Sequence, residues 1–168
     1  VNGKLIHIST DYVFNGDHFM PYNESDSVSP IGVYGETKRN GELAVINSTL
    51  DAIVIRTSWL YSSYGNNFVK TMLRLGKQKK ELGVIFDQVG TPTYARDLAK
   101  TCLEILCWGI SVNISENGNL YHYSNEGVAS WYDFAISIMK IGAQDCKVKP
   151  IQTKDYPTLA KRPQYSVL

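Results

Sequence analysis

Tyr34 and Lys38 are four residues apart in a stretch, Val33-Tyr34-Gly35-Glu36-Thr37-Lys38-Arg39, that continues into good helix formers at Glu42, Leu43 and Ala44. On a helix that spacing places both side chains on one face, with Cβ atoms roughly 6 Å apart. An ammonium beside a phenol favours the phenolate and draws the tyrosine from its ordinary value of about 10 towards working pH. Such a tyrosine can give its proton to an oxygen that gains charge as hydride reaches its carbon, and the lysine can hydrogen-bond the ribose of a nicotinamide cofactor. The same spacing also arises on surface helices with no such role. A second group, Ser9-Thr10-Asp11, follows the β-favouring run Leu5-Ile6-His7-Ile8. Ligands of open α/β sheets bind outside the carboxyl ends of strands, where a threonine hydroxyl can polarise a carbonyl. Ser, Thr and Asp equally serve there as turn and cap residues.

The elements that must position these groups follow from pattern. Lys4 to Tyr12 reads as a strand entering a loop, and the Asn-, Asp-, Ser- and Pro-rich stretch from Asn15 to Pro30 as a long loop. Val33 to about Ile46 reads as a helix. Ala52-Ile53-Val54-Ile55 is a buried strand ending at Arg56-Thr57-Ser58-Trp59. Phe68 to Leu75 forms a helix with Phe68, Met72 and Leu75 on one side, and Val84-Ile85-Phe86 a short strand. Arg96 to Cys107 is a third helix, with Leu98, Cys102 and Ile105 inward and Gly109 as its stop. Leu120 to Tyr123 is a strand, and Ser130 caps a fourth helix with Trp131, Phe134, Ala135, Ile138 and Met139 on its apolar face. Short apolar strands alternating with helices predict an α/β fold with a mostly parallel sheet.

The 168 residues carry 17 Lys and Arg against 16 Asp and Glu, a net charge of +1, which argues against a nucleic-acid binder or a polybasic membrane-surface protein. No apolar run approaches the roughly 20 residues of a membrane helix, and no signal-peptide pattern follows Val1, so the chain is expected to start inside a longer product. Three cysteines without a Cys-x-x-Cys read as buried small hydrophobes in a reducing cytoplasm. Without a secretory signal, the glycosylation-type triplets at Asn23, Asn47 and Asn113 are chance matches. The scattered His7, His18 and His122 suggest no metal site. Lys77-Gln78-Lys79-Lys80 reads as a solvated helix end, and Arg162 as either a contact for a diphosphate or a brace.

The segments Ile8-Ser9-Thr10-Asp11-Tyr12-Val13-Phe14-x-Gly16 and Ser29-Pro30-x-x-Val33-Tyr34-Gly35-x-Thr37-Lys38-x-x-Gly41-Glu42 resemble the extended short-chain dehydrogenase/reductase superfamily. Within it the resemblance is to the dTDP-4-dehydrorhamnose reductase family. Arg56-Thr57-Ser58-Trp59-Leu60-Tyr61, Asp87-Gln88-x-Gly90-x-Pro92-Thr93, Asp97-Leu98-Ala99 and Arg162-Pro163-x-x-Ser166-x-Leu168 extend it over nearly the whole chain, in the family's order. The resemblance implies that Tyr34 is the proton donor and Lys38 its partner and ribose ligand. It implies that Thr10 contacts the sugar carbonyl, Asp11 hydrogen-bonds the deoxysugar, Trp59 packs against the sugar and Ile8 lies along the nicotinamide. The implied reaction is hydride transfer from NADPH or NADH to C4 of dTDP-4-dehydro-L-rhamnose, giving dTDP-L-rhamnose for bacterial surface polysaccharide. The implied partner is thus a nucleotide sugar. A homodimer is also implied, with magnesium at a dimer contact in some relatives, though nothing in this sequence identifies its ligands.

One departure shapes the expectation further. The family opens with a strand, a Gly-rich turn and a helix that holds the pyrophosphate. The 13 glycines here never fall as Gly-x-x-Gly-x-x-Gly after a strand. Residues 1–60 are therefore expected to be the catalytic second half of a Rossmann-like domain, beginning at the family's fifth sheet strand. Residues 61–168 are expected to be mixed elements including a small substrate-binding lobe. A chain of this kind is expected to be inactive alone and to leave a sheet edge open to self-association. Two other readings share these motifs: a nucleotide-sugar epimerase or dehydratase, and a non-catalytic regulatory binding subunit. Ser9 to Phe14 together with Trp59 favours the reductase, and the intact Thr10, Tyr34 and Lys38 speak against a decayed site.

Overall fold

The computed structural model describes residues 3–48, 52–108 and 119–168. The expected helix stop at Gly109 and the triplet at Asn113 lie outside these residues. Strands β1 (Leu5–Thr10), β2 (Ala52–Thr57) and β7 (Leu120–His122) form a parallel sheet in the order β1-β2-β7. β2 is buried along its whole length, as a central strand of a parallel sheet should be. Strand alternation then assigns the two faces. Ile6 and Ile8 of β1 and Ile53 and Ile55 of β2 join Leu98, Cys102 and Ile105 of helix α3 (Ala95–Trp108) in one apolar cluster. His7, Ser9 and Arg56 point the other way, towards helix α1 (Val33–Ile46), with His7 against Gly41 and Ser9 and Arg56 bonded to Glu42.

A second core lies between helices α2 (Phe68–Gln78) and α4 (Trp131–Ile141) and the parallel pair β4 (Glu81–Ile85) and β9 (Lys147–Ile151). Met72, Leu82, Val84, Ala135, Ile138, Met139 and Val148 fill it, joined by Phe68, Leu75, Trp131 and Phe134. The helix faces read from the sequence are the ones buried here. Short pairs complete the structure: β3 (Leu60–Tyr61) with β6 (Thr93–Tyr94), and β5 (Val89–Gly90) with β8 (Ala129–Ser130). The sequence reading placed the third strand at Val84 to Phe86; it begins earlier, at Glu81, because its ladder with β9 starts at Lys147.

The long loop between β1 and α1 has no regular structure but is tied down. Asp11–Val13 forms a short 3-10 turn, Ser29 N donates to Val13 O at 2.9 Å, and Tyr22 stacks on Phe14 with ring centroids 4.1 Å apart. The C-terminal segment straps it in place: Tyr22 N donates to Val167 O at 2.9 Å, while Val89 N donates to Gln164 O and Ser166 N to Val89 O, both at 2.8 Å. Gly16 has φ +85° and lies against Pro163, where a Cβ would come within 2.5 Å of that ring, so both conformation and space require glycine.

Ser130 caps α4 as its position predicts. Its Oγ accepts from Asp133 N at 3.0 Å, and Asp133 Oδ2 accepts from Ser130 N at 2.9 Å, a reciprocal capping box. Replacing Ser130 by Ala is expected to lower stability by about 1 kcal/mol, measured as a fall in the urea midpoint with unchanged slope.

Candidate active site

Tyr34, Lys38 and Glu42 occupy successive turns of one stripe of α1. Tyr34 is 57 % exposed at the start of the helix. Lys38 is half-buried, and its Nζ donates to Ile8 O at 2.5 Å, which fixes the ammonium near the carboxyl end of β1. One of its three N–H donors is used there and two remain. Ile8 contributes that carbonyl, while its side chain packs into the apolar cluster on the opposite face.

Thr10 ends β1 and turns the chain. Its Oγ1 accepts from Tyr12 N at 3.2 Å and donates to Asp11 Oδ1 at 3.0 Å. Tyr12 meets Tyr34 edge-on, with centroids 5.9 Å apart and planes at 84°. Burial, reinforced by the nearby Asp11 charge, pushes the Tyr12 hydroxyl up to about 12, with Arg162 opposing the shift. Tyr12 is therefore a neutral wall beside Tyr34. The approach of α1 to this turn depends on Gly35, whose Cβ would fall 2.1 Å from Tyr12 O and 2.9 Å from Pro30 Cβ. The fold thus brings Thr10, Asp11, Tyr12, Tyr34 and Lys38 to one strand end.

Two sequence-selected residues stand differently. Asp11 is only 2 % exposed and its Oδ1 accepts from the Thr10 hydroxyl. Trp59 lies beyond the end of β2 and belongs to another aromatic group. It stacks on Trp131 with centroids 3.5 Å apart and planes at 6°, and Trp131 in turn packs on Phe68 at 4.6 Å. One indole face of Trp59 is therefore occupied by protein.

The residues that hold the site, Glu42 and Arg56, were not assigned a role from sequence. Glu42 is 0 % and Arg56 1 % exposed. The Glu42 carboxylate accepts from Arg56 Nε at 2.9 Å and Nη2 at 2.8 Å, from Arg39 Nη1 at 2.9 Å, and from Ser9 Oγ at 2.5 Å. Burial pushes this carboxyl up, but the bonds from Arg56, Ser9 and Arg39 outweigh it and hold the group below the ordinary glutamate value. The Arg56 guanidinium lies 5.1 Å over the Phe14 ring, and its Nη1 is 3.5 Å from His122 Nε2. A signal was present: Glu42 is eight residues after Tyr34 on the same stripe, and Arg56 is a charge closing an otherwise apolar buried strand.

Two cavities, of about 500 and 600 Å³, share Tyr156 and Arg162 in their walls. The first is polar, with Asn15, Gln88, Thr153 and Lys161; the second runs along α2 past Trp131. Arg162 lines both cavities and its charge also reaches Tyr12, whereas Thr10, Tyr34 and Lys38 line neither. Among the described residues no group of three or more His, Cys, Asp or Glu side chains is arranged for a metal ion, and no helix is long and apolar enough to cross a membrane.

The sequence matches the RmlD substrate binding domain over residues 1–168. The chain belongs to this family. Among its relatives, dTDP-4-dehydrorhamnose reductase of Aggregatibacter actinomycetemcomitans is 44 % identical over 99 % of this chain and 58 % of that protein. The spore coat polysaccharide biosynthesis protein SpsK of Bacillus subtilis is 42 % identical over 100 % of this chain and 56 % of that protein. The crystal structure of dTDP-4-dehydrorhamnose reductase from Bacillus anthracis in complex with NADP superposes with a TM-score of 0.90 at 42 % identity, covering 98 % of this chain and 56 % of that one. This RmlD substrate binding domain thus spans little more than half the length of the relatives it matches.

Removing Arg56 strips the buried Glu42 carboxylate of its buried counter-charge and of two of its four hydrogen bonds, leaving only Ser9 and the half-buried Arg39. Arg56→Leu is expected to destabilise the protein by about 3–5 kcal/mol, read from denaturant unfolding. Because the Glu42 carboxyl is depressed, its contribution is complete above the ordinary glutamate value of 4.5 and is lost as pH falls through the lower folded value. Wild type should therefore lose stability on acidification in this window, and Glu42→Gln should flatten that part of the profile.

Proposed function

We propose that the full-length protein carrying this chain reduces the C4 ketone of dTDP-4-dehydro-L-rhamnose to give dTDP-L-rhamnose. The observation that carries the reading is the exposed Tyr34 set by Gly35 against the Thr10–Tyr12 turn, with Lys38 anchored at the same strand end on Ile8 O. The donor set suits the nicotinamide riboside end of NADPH or NADH: Lys38 has two N–H groups left for a ribose diol, beside an exposed phenol. When bound, the reduced nicotinamide supplies the hydride. Tyr34 gives its proton to the C4 oxygen as charge develops there, and Thr10 orients the carbonyl. Trp59, held between Trp131 and Gly90, is assigned to the sugar side of the site. Arg162 faces the substrate's diphosphate, and the adjoining cavities have the size of small-molecule sites. The similarity to reductases along the whole chain supports this substrate class over the epimerase and dehydratase readings. The free Cys102, Cys107 and Cys146 suit a reducing cytoplasm.

In the full-length protein, Tyr34→Phe should cut kcat by roughly 10²-fold or more with KM for the sugar little changed. Lys38→Met should raise KM for the nicotinamide cofactor. The product, identified by NMR, should be the 4-hydroxy sugar. Unchanged turnover in Tyr34→Phe would remove that residue from its role, and an epimerised or dehydrated product would overturn the reaction class.

A further inference from the structure

Tyr34 stands in the least self-supported turn of α1. The N-cap is Gly32, which has no side chain to serve the first N–H groups, and Val33 and Tyr34 are 76 % and 57 % exposed. Gly35, in the same turn, adds backbone freedom that works against helical order. The anchors already described act further along the helix: Lys38 donates to Ile8 O, and Glu42 accepts from Ser9 and Arg56. They set the helix on the sheet but leave the Tyr34 side chain free to turn about χ1 and χ2. A proton donor that swings in this way loses rate, since a misplacement of about 1 Å can cost 10²-fold.

Tyr12 is the only ring that meets Tyr34 among the described residues. The contact is edge to face, with centroids 5.9 Å apart and planes at 84°, an arrangement that the aromatic quadrupole favours. Tyr12 is itself held from several sides. It is the middle residue of the 3-10 turn Asp11–Val13, and its N–H donates to Thr10 Oγ1 at 3.2 Å. The next carbonyl, Val13 O, accepts from Ser29 N at 2.9 Å. Tyr12 O lies so near Gly35 that no other residue fits there, so this turn and the first turn of α1 are in backbone contact. The half-buried Tyr12 ring is thus a fixed surface, and the exposed phenol is the part that needs one. We infer that Tyr12 is a positioning residue for the proton donor: its ring holds the Tyr34 phenol at the end of β1, in a helical turn that no capping side chain steadies. The inference rests on the reductase reading above, in which Tyr34 gives the proton, and adds a residue that acts only through it.

The ring of Tyr12, and not its hydroxyl, carries this role. Two phenols side by side could compete as proton donors. Burial and the Asp11 charge keep the Tyr12 hydroxyl protonated up to about 12. It is therefore a poor acid at working pH and places no anion beside Tyr34. Tyr34 has the Lys38 ammonium one helical turn away.

The test uses the full-length protein and two variants. Tyr12→Leu removes the ring and should lower kcat by about threefold to tenfold, the range of one aromatic pair, with KM for the sugar and for the cofactor little changed. Tyr12→Phe keeps the ring and should retain the wild-type kcat. A wild-type kcat in Tyr12→Leu, or a Tyr12→Phe as slow as Tyr12→Leu, would overturn the inference. So would a loss spread over kcat and both KM values, which marks a collapsed site. A second arm needs no turnover and stands even where Tyr12→Leu fails to fold. In NMR spectra of ring-labelled tyrosine, with Tyr34 assigned through Tyr34→Phe, the Tyr34 ring signals should be displaced from exposed-tyrosine positions by the Tyr12 ring current. The displacement should persist in Tyr12→Phe and vanish in Tyr12→Leu. Tyr34 signals at exposed-tyrosine positions in wild type would sink the contact on which the inference is built. Absence of reductase activity in wild type would instead count against the reductase reading and leave this arm standing.

Discussion

The ion pair between Glu42 and Arg56 is the constraint on which the arrangement at the strand end depends. Glu42 receives four hydrogen bonds from three elements or positions: Ser9 on β1, Arg56 on β2 and Arg39 on its own helix. A helix carrying such a residue cannot rotate about its axis or slide along the sheet without stranding a charge in the interior. Tyr34 is eight residues earlier, about 12 Å along the same stripe at 1.5 Å per residue. Its position relative to Thr10 is thus inherited from a bond network two turns away. Buried pairs contribute little net stability compared with apolar packing. The arrangement here is better understood as a register pin, with Lys38 on Ile8 O as a second pin halfway along.

The other side of the site is built by the loop after β1 and by the last residues of the chain. Neither has regular structure, and both would be mobile without tertiary ties. Phe14 and Tyr22 form a small stacked core between them, the strap pairs with β5, and His122 N donates to Glu24 Oε1 at 2.8 Å to fasten the loop to β7. Residues from opposite ends of the sequence, Asp11 and Ser166, are thereby brought together. The wall behind Thr10 is consequently held in place by ties to both the loop and the C-terminal strap.

Much of this was legible beforehand, for definite reasons. The α2 and α3 helices show 3.6-residue patterning, α4 adds a capping serine, α1 is a run of good helix formers, and β1 and β2 are apolar runs ended by polar residues. The Tyr34, Lys38 and Thr10 cluster was visible as residue types at the right spacing. The missing pieces fail for physical causes. Lys147-Val148-Lys149-Pro150-Ile151 hides β9, because a Pro and two Lys suit an edge strand and lower its apparent propensity. The two-residue strands β3, β5, β6 and β8 exist only through their tertiary partners. Glu42 and Arg56 look like surface charges until burial shows that each is the other's solvent. Burial of Asp11 was equally invisible, since the strap that covers it comes from 155 residues later.

Trp59 carries a further consequence. Among the described residues it is one of two non-glycine residues with positive φ, at 44°, a conformation that costs a bulky residue about 1–3 kcal/mol. Its ring is clamped between Gly90 and the Trp131 indole, so packing holds the backbone in a shape it would otherwise abandon. The clamp works as a weld between the end of β2 and the first turn of α4. Any ligand that levers the indoles apart would release that stored tension into the peptide following Thr57 and Ser58. A disturbance at the aromatic end would thus travel mechanically to the very strand whose arginine anchors α1.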